Sequence, residues 1–279
     1  MNYVDLLSNL PNLTIMGVIP LFFLIIMRLA PSLVLAPFFG AKLAPGIAKM
    51  GLALCMATVF LPFVAANTKV QVSFNNAFLF YSLKEILIGI ILGFFITIPF
   101  YMVQTSGTII DYLRGASIMQ SQDPSMQTQT SPIGILYNYV LIVIFFQIDG
   151  PILFFDAVLK SYELVPPAAL INSEFLVHKN NFWNVCFDLV NQIITIAIQM
   201  AAPAIVSILM AEMFLGIANR LAPQVQIAFL GMSIKSLLGL SLLWAAWFFI
   251  LKQFTKQAYN WLDLVNKLIY TLKGLNPLT

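Results

Sequence analysis

Ionisable side chains are scarce in this sequence, and that scarcity excludes most kinds of active site. Only 9% of the 279 residues are charged, and His178 is the one histidine. An HExxH metal site is therefore impossible, and neither GxSxG nor GxxxxGK[ST] occurs. Cys55 and Cys186 lie far apart without CxxC spacing, so they fit small apolar side chains better than a disulfide or a metal site. We expect no enzymatic activity, no cofactor and no metal.

Two acidic residues offer the nearest approach to a catalytic pair. Asp149 and Asp156 are seven residues apart and could share a helix face as an intramembrane carboxyl pair, but Gly150 and Pro151 break the helix between them. The net charge of +3 is dispersed, with no basic run and no basic patch interleaved with aromatic residues. Nucleic acid is therefore not an expected partner.

Apolar side chains dominate what is present. They make up 60% of the chain, and the mean hydropathy is +0.91, which is a membrane-protein composition. A helix needs about 17 to 25 apolar residues to span a bilayer, and we count six hydrophobic segments, the first of which contains Arg28. They are residues 13–39, 50–66, 86–103, 133–148, 189–211 and 236–251. The sequence predicts an all-α membrane protein.

The distribution of lysines predicts the orientation. Lys42 and Lys49 follow the first segment and four lysines lie in residues 252–279, so both stretches are expected in the cytoplasm and the lysine-free N-terminus in the periplasm. Six complete crossings would instead leave both ends in the periplasm, which conflicts with the lysine-rich C-terminal stretch. At least one segment is therefore not a simple span. Prolines in or beside the apolar runs indicate bent helical hairpins; they are Pro20, Pro31, Pro37, Pro99, Pro132, Pro151 and Pro203.

Two polar or small-residue features within the apolar segments suggest protein contacts. Gly89 and Gly93 form a GxxxG motif, which permits close helix packing in lipid, and we assign them to a subunit interface. In residues 219–236, Pro223 should end the preceding helix. The same stretch supplies polar groups that lipid could not satisfy, Arg220, Gln224 and Lys235. A plain cytoplasmic loop is the alternative, but the apolar AFLGM favours an elbow at a subunit interface.

The stretch GTIIDYLRGAS, residues 107–117, places Asp111 and Arg114 at helical i,i+3 spacing. Such a pair is worth about 0.2–0.5 kcal/mol in water, whereas a charge at membrane depth costs roughly 2.5–3.5 kcal/mol. The pair should therefore face protein or water. Gly107 and Gly115 would allow the chain to leave the helix sharply. Glutamine, serine and the adaptable Met119 and Met126 follow, although an ordinary connecting loop is an alternative.

These motifs occur in the order found in a known family. RLAPSLVLAPFFG, KEILIGIILGF, GTIIDYLRGAS, SPIGILYNYVLIVIFF, DGPILFFDAVLKSYELVP and NRLAPQVQIAFLGMSIKS together resemble the SctT/YscT/SpaR/FliR family of type III secretion export-apparatus proteins. The ending GMSIKS resembles the injectisome branch more than the flagellar branch, where proline commonly stands at the position of Ser233.

The resemblance implies a single export-gate domain over residues 1–279 of a bacterial inner-membrane protein, with residues 252–279 as a basic cytoplasmic tail. It implies bent hairpins built into a helical, cone-like assembly with SctR-type and SctS-type subunits, an SctU-type switch protein and an SctV-type ring. Unfolded secretion substrates would pass through its channel. The family's plug follows the third hydrophobic segment, which assigns Gly107, Asp111, Arg114, Gly115, Met119 and Met126 to a gate. A multi-pass small-solute transporter is the alternative, but no second half repeats the first.

Overall fold

The computed structural model describes residues 15–40, 44–68, 72–115, 131–169, 181–221 and 227–271. Within these ranges the regular structure is helical and contains no strand, which confirms the prediction of an all-α fold. A short 3-10 helix, Pro37–Phe39, follows the first α-helix. The α-helices are α1 Ile15–Leu35, α2 Gly46–Asn67, α3 Asn76–Leu113, α4 Pro132–Gln147, α5 Gly150–Leu164, α6 Asn181–Leu221, α7 Ile227–Ala245 and α8 Trp247–Thr271.

Four helices in the described part of the chain are long and apolar enough to cross a membrane: α1, α2, α3 and α6. The pair α4 and α5 and the pair α7 and α8 qualify only when each pair is taken together, and each is bent by more than 40° at a short break. The chain is thus a multi-pass membrane protein with four to six candidate spans. The two bent pairs agree with the expectation that the apolar segments are not all simple straight spans.

The helices α3 and α6 are too long for one perpendicular crossing. With 38 residues, α3 is about 57 Å long, and α6, with 41 residues, is about 62 Å long at 1.5 Å per residue. The hydrocarbon core is only about 30 Å thick. Each helix contains an internal proline, Pro99 in α3 and Pro203 in α6. At about 57 Å and about 62 Å against about 30 Å, each helix is about twice as long as one perpendicular crossing requires.

The chain divides into two compact units that alternate along the sequence. The first consists of Met1–Ile98, Ile148–Asp188 and Trp261–Thr279, and the second of Pro99–Gln147 and Leu189–Asn260. Neither unit is a continuous stretch of sequence. The segment expected as a basic tail, residues 252–279, begins inside α8, which continues to Thr271.

The first unit depends on a close crossing of α1 and α3. A Cβ atom added at Gly89 would lie 2.3 Å from the carbonyl oxygen of Arg28, and one added at Gly93 would lie 2.9 Å from Leu35 Cβ. The assignment of this GxxxG motif to a subunit interface is therefore wrong, because the two glycines pack against α1 of the same chain. The motif lets any two helices approach closely, and its spacing does not specify which helix is the neighbour.

We expect Gly89→Ala to destabilise the detergent-solubilised protein by about 1–3 kcal/mol, the usual penalty for overpacking, because the new methyl group would meet backbone atoms of α1. The measurement is the thermal unfolding midpoint. Gly51→Ala in α2 is the matched control: nothing lies within 4 Å of its added Cβ, and alanine favours a helix by about 0.5–1 kcal/mol. A Gly89→Ala protein that unfolds no earlier than wild type would contradict this account of the crossing.

Candidate functional site

The end of α3 carries a buried ion pair. Asp111 Oδ1 accepts hydrogen bonds from Arg114 Nε at 2.7 Å and from Arg114 Nη2 at 2.6 Å. Only 5% of the Asp111 side chain and 10% of the Arg114 side chain are exposed. Both charges face protein, one of the two environments that the sequence allowed.

The second oxygen of the same carboxylate holds the start of α4. Asp111 Oδ2 accepts hydrogen bonds from Ser131 Oγ and from the backbone N–H of Ile133 at 2.8 Å. The Ser131 hydroxyl oxygen in turn accepts a hydrogen bond from Gly134 N–H at 2.9 Å. Ser131 therefore caps α4, with Pro132 in the first helical position, where its missing N–H costs nothing. The carboxylate lies at the positive end of the α4 dipole.

One side chain thus joins the two sides of the polar segment 116–130. Arg114 lies two residues before that segment and Ser131 immediately follows it, and both bond to Asp111. Met119 and Met126 belong to the segment and lie outside the described residues. We name the set Asp111, Arg114, Ser131 and Ile133 the Asp111 clasp.

The two glycines assigned to the gate have different structural roles. Gly115 has φ +84° and directly follows the last turn of α3, where a residue without Cβ is favoured. Gly107 lies inside α3, and a Cβ added there would be 2.6 Å from Gly134 Cα. The expectation that Gly107 releases the chain from the helix is wrong. Gly107 instead allows α3 and α4 to touch through their backbones.

The polar elbow is partly described. The helix α6 is described as far as Leu221, and Arg220 is exposed in the last turn described. Pro223 and Gln224 lie outside the described residues. Lys235 forms an ion pair with Glu212 of α6. The partner of Lys235 is thus in its own chain, whereas the sequence suggested a neighbouring subunit.

The two aspartates considered as a catalytic pair are separated by the start of a helix. Asp149 has φ 56° and precedes α5, and Asp156 pairs with Lys160 four residues later on the same helix. They form no carboxyl pair on one intact helix. No group of three or more His, Cys, Asp or Glu side chains in the described ranges could hold a metal ion.

A larger charged cluster, which sequence reasoning missed, lies in the first unit. The fully buried Arg28 donates to both carboxylate oxygens of the fully buried Glu85. Its remaining hydrogen bonds go to Ser161 Oγ at 2.9 Å and to the Val165 carbonyl at 2.8 Å. The Tyr162 ring lies 4.0 Å from the Arg28 guanidinium carbon. The guanidinium therefore joins α1, α3 and the end of α5.

Lys84 completes this cluster. Its Nζ lies 2.8 Å from Glu85 Oε1 and donates to the carbonyl oxygens of Pro166, Pro167 and Ala169 at 2.8–3.0 Å. Two cations share one carboxylate, and backbone carbonyl dipoles stabilise the excess positive charge. We name Arg28, Lys84, Glu85 and Ser161 the buried ion cluster. The sequence feature that could have revealed this cluster is the position of its charged residues: Arg28 lies within an apolar segment, and Lys84 and Glu85 lie directly before one. An ionisable residue at such a position by itself suggests a functional site.

The fold and its buried polar groups define a multi-pass, all-α membrane protein with two buried groups of paired charges, one at Glu85 and one at Asp111. The family described as "Bacterial export proteins, family 1" matches residues 19–260. The chain therefore belongs to this family, which is the SctT/YscT/SpaR/FliR family of type III secretion export-apparatus proteins.

Three relatives show the range of similarity. The Yop proteins translocation protein T of Yersinia pestis is 30% identical over 221 residues, which cover 79% of this chain and 83% of the relative. Secretion system apparatus protein SsaT of Salmonella typhimurium is 28% identical over 216 residues, covering 76% and 80% respectively. Flagellar biosynthetic protein FliR of Bacillus subtilis is 24% identical over 227 residues, covering 80% and 84%. Proteins named for secretion systems and for flagellar biosynthesis are thus both similar to this chain.

We expect Glu85→Gln to destabilise the protein by about 3–5 kcal/mol, because it leaves Arg28 and Lys84 buried without their carboxylate. Asp156→Asn removes the same charge from a pair whose side chains are 39% and 49% exposed, so it should cost less than about 1 kcal/mol. Thermal unfolding in detergent measures both. Equal losses of stability would show that the buried ion cluster has no special role.

Proposed function

We propose that the chain is a core subunit of the type III secretion export gate and helps to form and plug an inner-membrane channel for unfolded secreted proteins. Membership of the export family supports this role, as do relatives named for Yop translocation, a secretion apparatus and flagellar biosynthesis. The role is structural and not enzymatic. The Asp111 clasp is the observation on which the plugging function chiefly depends.

The clasp suits the base of a plug for an electrostatic reason. A channel wide enough for an unfolded chain would leak ions at rest unless something closed it. The residues on both sides of segment 116–130 are held by one neutralised pair, Asp111 and Arg114. The Asp111 and Arg114 pair at the base of the plug therefore adds no net charge to the channel. The segment 116–130 itself is polar and carries one acidic residue, Asp123. Met119 and Met126 would provide adaptable apolar contacts within the plug.

Exposed apolar side chains support assembly with other subunits. On α6, Met213 is 71% exposed and Phe214 is 73% exposed, beside the ion pair of Lys235 and Glu212. A pair of charges on an otherwise apolar helix face is costly against lipid and suits contact with protein. We assign this face and the elbow, with Arg220, Pro223, Gln224 and Lys235, to the interface with SctR-type and SctS-type subunits.

The remaining partners and the orientation follow from the same proposal. The lysine distribution supports an N-terminus in the periplasm and a C-terminus in the cytoplasm. The SctU-type switch protein would then meet the gate from the cytoplasmic side, next to the SctV-type ring.

For the elbow, we expect Arg220→Gln to reduce recovery of SctR-type and SctS-type partners after detergent extraction, because a partner group loses its bond at a cost of about 1–3 kcal/mol. Lys235→Gln and Glu212→Gln should each reduce recovery of the partner subunits as well. The variant that carries both of these changes should recover as much partner as either single variant, because each change alone already removes the Lys235–Glu212 ion pair. Asp156→Asn serves as the control. Undiminished partner recovery with Arg220→Gln would remove Arg220 from the interface.

For the gate, we expect Gly115→Asp to leave the complex assembled but make the membrane leaky, because it adds an unpaired charge beside the neutral base of the plug. Gly115→Asn is the matched control, since asparagine tolerates positive φ as well as aspartate does and differs only in charge. Ion flux is measured in cells that express each variant with its SctR-type and SctS-type partners. Assembled Gly115→Asp complexes that remain as tight as Gly115→Asn complexes would contradict the assignment of this segment as the plug.

A further inference from the structure

Large aromatic side chains are exposed where α7 gives way to α8. Trp244 is 84% exposed, Phe248 is 72% exposed and Phe249 is 71% exposed. The axes of α7 and α8 meet at a bend of 65°. Trp244 lies before this bend, and Phe248 and Phe249 lie after it. This much aromatic surface is unfavourable in water, and something apolar should cover it.

Two lysines follow on the same face of α8. Lys252 and Lys256 are exposed and continue from Phe248 at spacings of four residues, which places all three on one side of the helix. The opposite side is buried at Phe254 and Ala258. The exposed side of α8 is therefore aromatic at its beginning and cationic one and two turns later.

Among the side chains that the structure describes, none compensates the charge on this face. The sequence has no acidic residue from 245 to 262, and no acidic side chain in the described parts of the chain forms an ion pair with Lys252 or Lys256. The other lysines that form ion pairs there do so with carboxylates of this chain, as Lys84 does with Glu85. Lys252 and Lys256 thus offer donors and positive charge to a partner outside the chain.

The spacing along the helix matches the edge of a bilayer. From Phe248 the helix rises about 6 Å to Lys252 and about 12 Å to Lys256. The interfacial layer on each side of the hydrocarbon core is about 5–8 Å deep, so a helix that leaves the core perpendicularly would place Lys252 within this layer and Lys256 just beyond it. Aromatic rings concentrate at the boundary of that core, and lysine side chains extend from it to the phosphate level. A protein surface would not require this order of aromatic and cationic side chains.

We propose that Trp244, Phe248, Phe249, Lys252 and Lys256 form a binding surface for anionic phospholipid headgroups. The rings sit at the edge of the hydrocarbon core, and the two ammonium groups bind headgroup phosphates. The surface fixes the depth of the α7 and α8 bend in the membrane. This inference does not depend on the role of the chain as an export gate.

The test uses the full-length protein reconstituted into vesicles of equal phosphatidylglycerol and phosphatidylcholine, followed by extraction in mild detergent. The ratio of the two lipids retained with the protein is measured by mass spectrometry. Wild type should be enriched in phosphatidylglycerol, and Lys252→Gln with Lys256→Gln should lower the enrichment by roughly fivefold per lysine, given the usual contribution of a basic residue near anionic lipid. The double arginine variant keeps the charge and should retain the enrichment.

A second measurement locates the rings. Trp244 fluorescence is taken as the difference between wild type and Trp244→Phe, in vesicles whose lipids carry bromine either near the headgroup or deep in the acyl chains. Stronger quenching by the shallow bromines is expected. Equal retention of both lipids by wild type, or deep quenching of Trp244, would overturn the proposal. So would a glutamine variant that loses a co-purifying protein but keeps its lipid ratio, because the lysines would then serve an acidic protein surface.

Discussion

The burial of Arg28 against Glu85 constrains the first unit more than any other interaction. Either charge alone would be prohibitively costly in a fully buried position, so the pair forms only if α1 and α3 adopt one position along each other. Glu85 lies one helical turn before Gly89, on the same side of α3. The glycine brings the two backbones together where the ion pair forms, and the remaining Arg28 donors reach α5 and the residues after it. Packing and charge pairing thus select the same arrangement.

The second unit uses the same combination with a different balance of charge. Asp111 and Arg114 cancel, and the positive end of α4 is stabilised by the same carboxylate. Gly107 and Gly134 bring α3 and α4 into backbone contact nearby. In the first unit, the positive charges of Arg28 and Lys84 outnumber the single negative charge of Glu85. Backbone carbonyl oxygens stabilise the excess positive charge. Each unit therefore combines a glycine-mediated helix contact with a buried carboxylate that is paired with arginine within the same unit.

Local features of the sequence predicted local features of the structure. Hydropathy predicted the helices. The spacing of Asp111 and Arg114 predicted their pairing, since residues three apart on a helix are neighbours. The family assignment was likewise accessible, because several short motifs had to occur in one order.

Contacts between distant residues could not be predicted in this way. Glu85 is 57 residues from Arg28, and Glu212 is 23 residues from Lys235, and periodicity does not determine which helices meet. The same limit explains the misassigned glycines. Gly89 and Gly107 were correctly seen as special positions, but whether a glycine allows a turn or a close contact depends on a neighbour that hydropathy does not identify.

The carbonyl oxygens that hold Lys84 impose an order on the synthesis of the chain. They belong to residues 82 to 85 positions further along, so at roughly 5–20 residues per second a ribosome needs about 4–16 s to produce them after Lys84. Arg28 is already available when Glu85 is made, and that pair can form at once. During the interval the Lys84 ammonium has Glu85 but lacks its three carbonyl acceptors, and water or the insertion machinery must take their place. The nascent protein thus has to keep part of α3 accessible until α5 and the residues after it have been made.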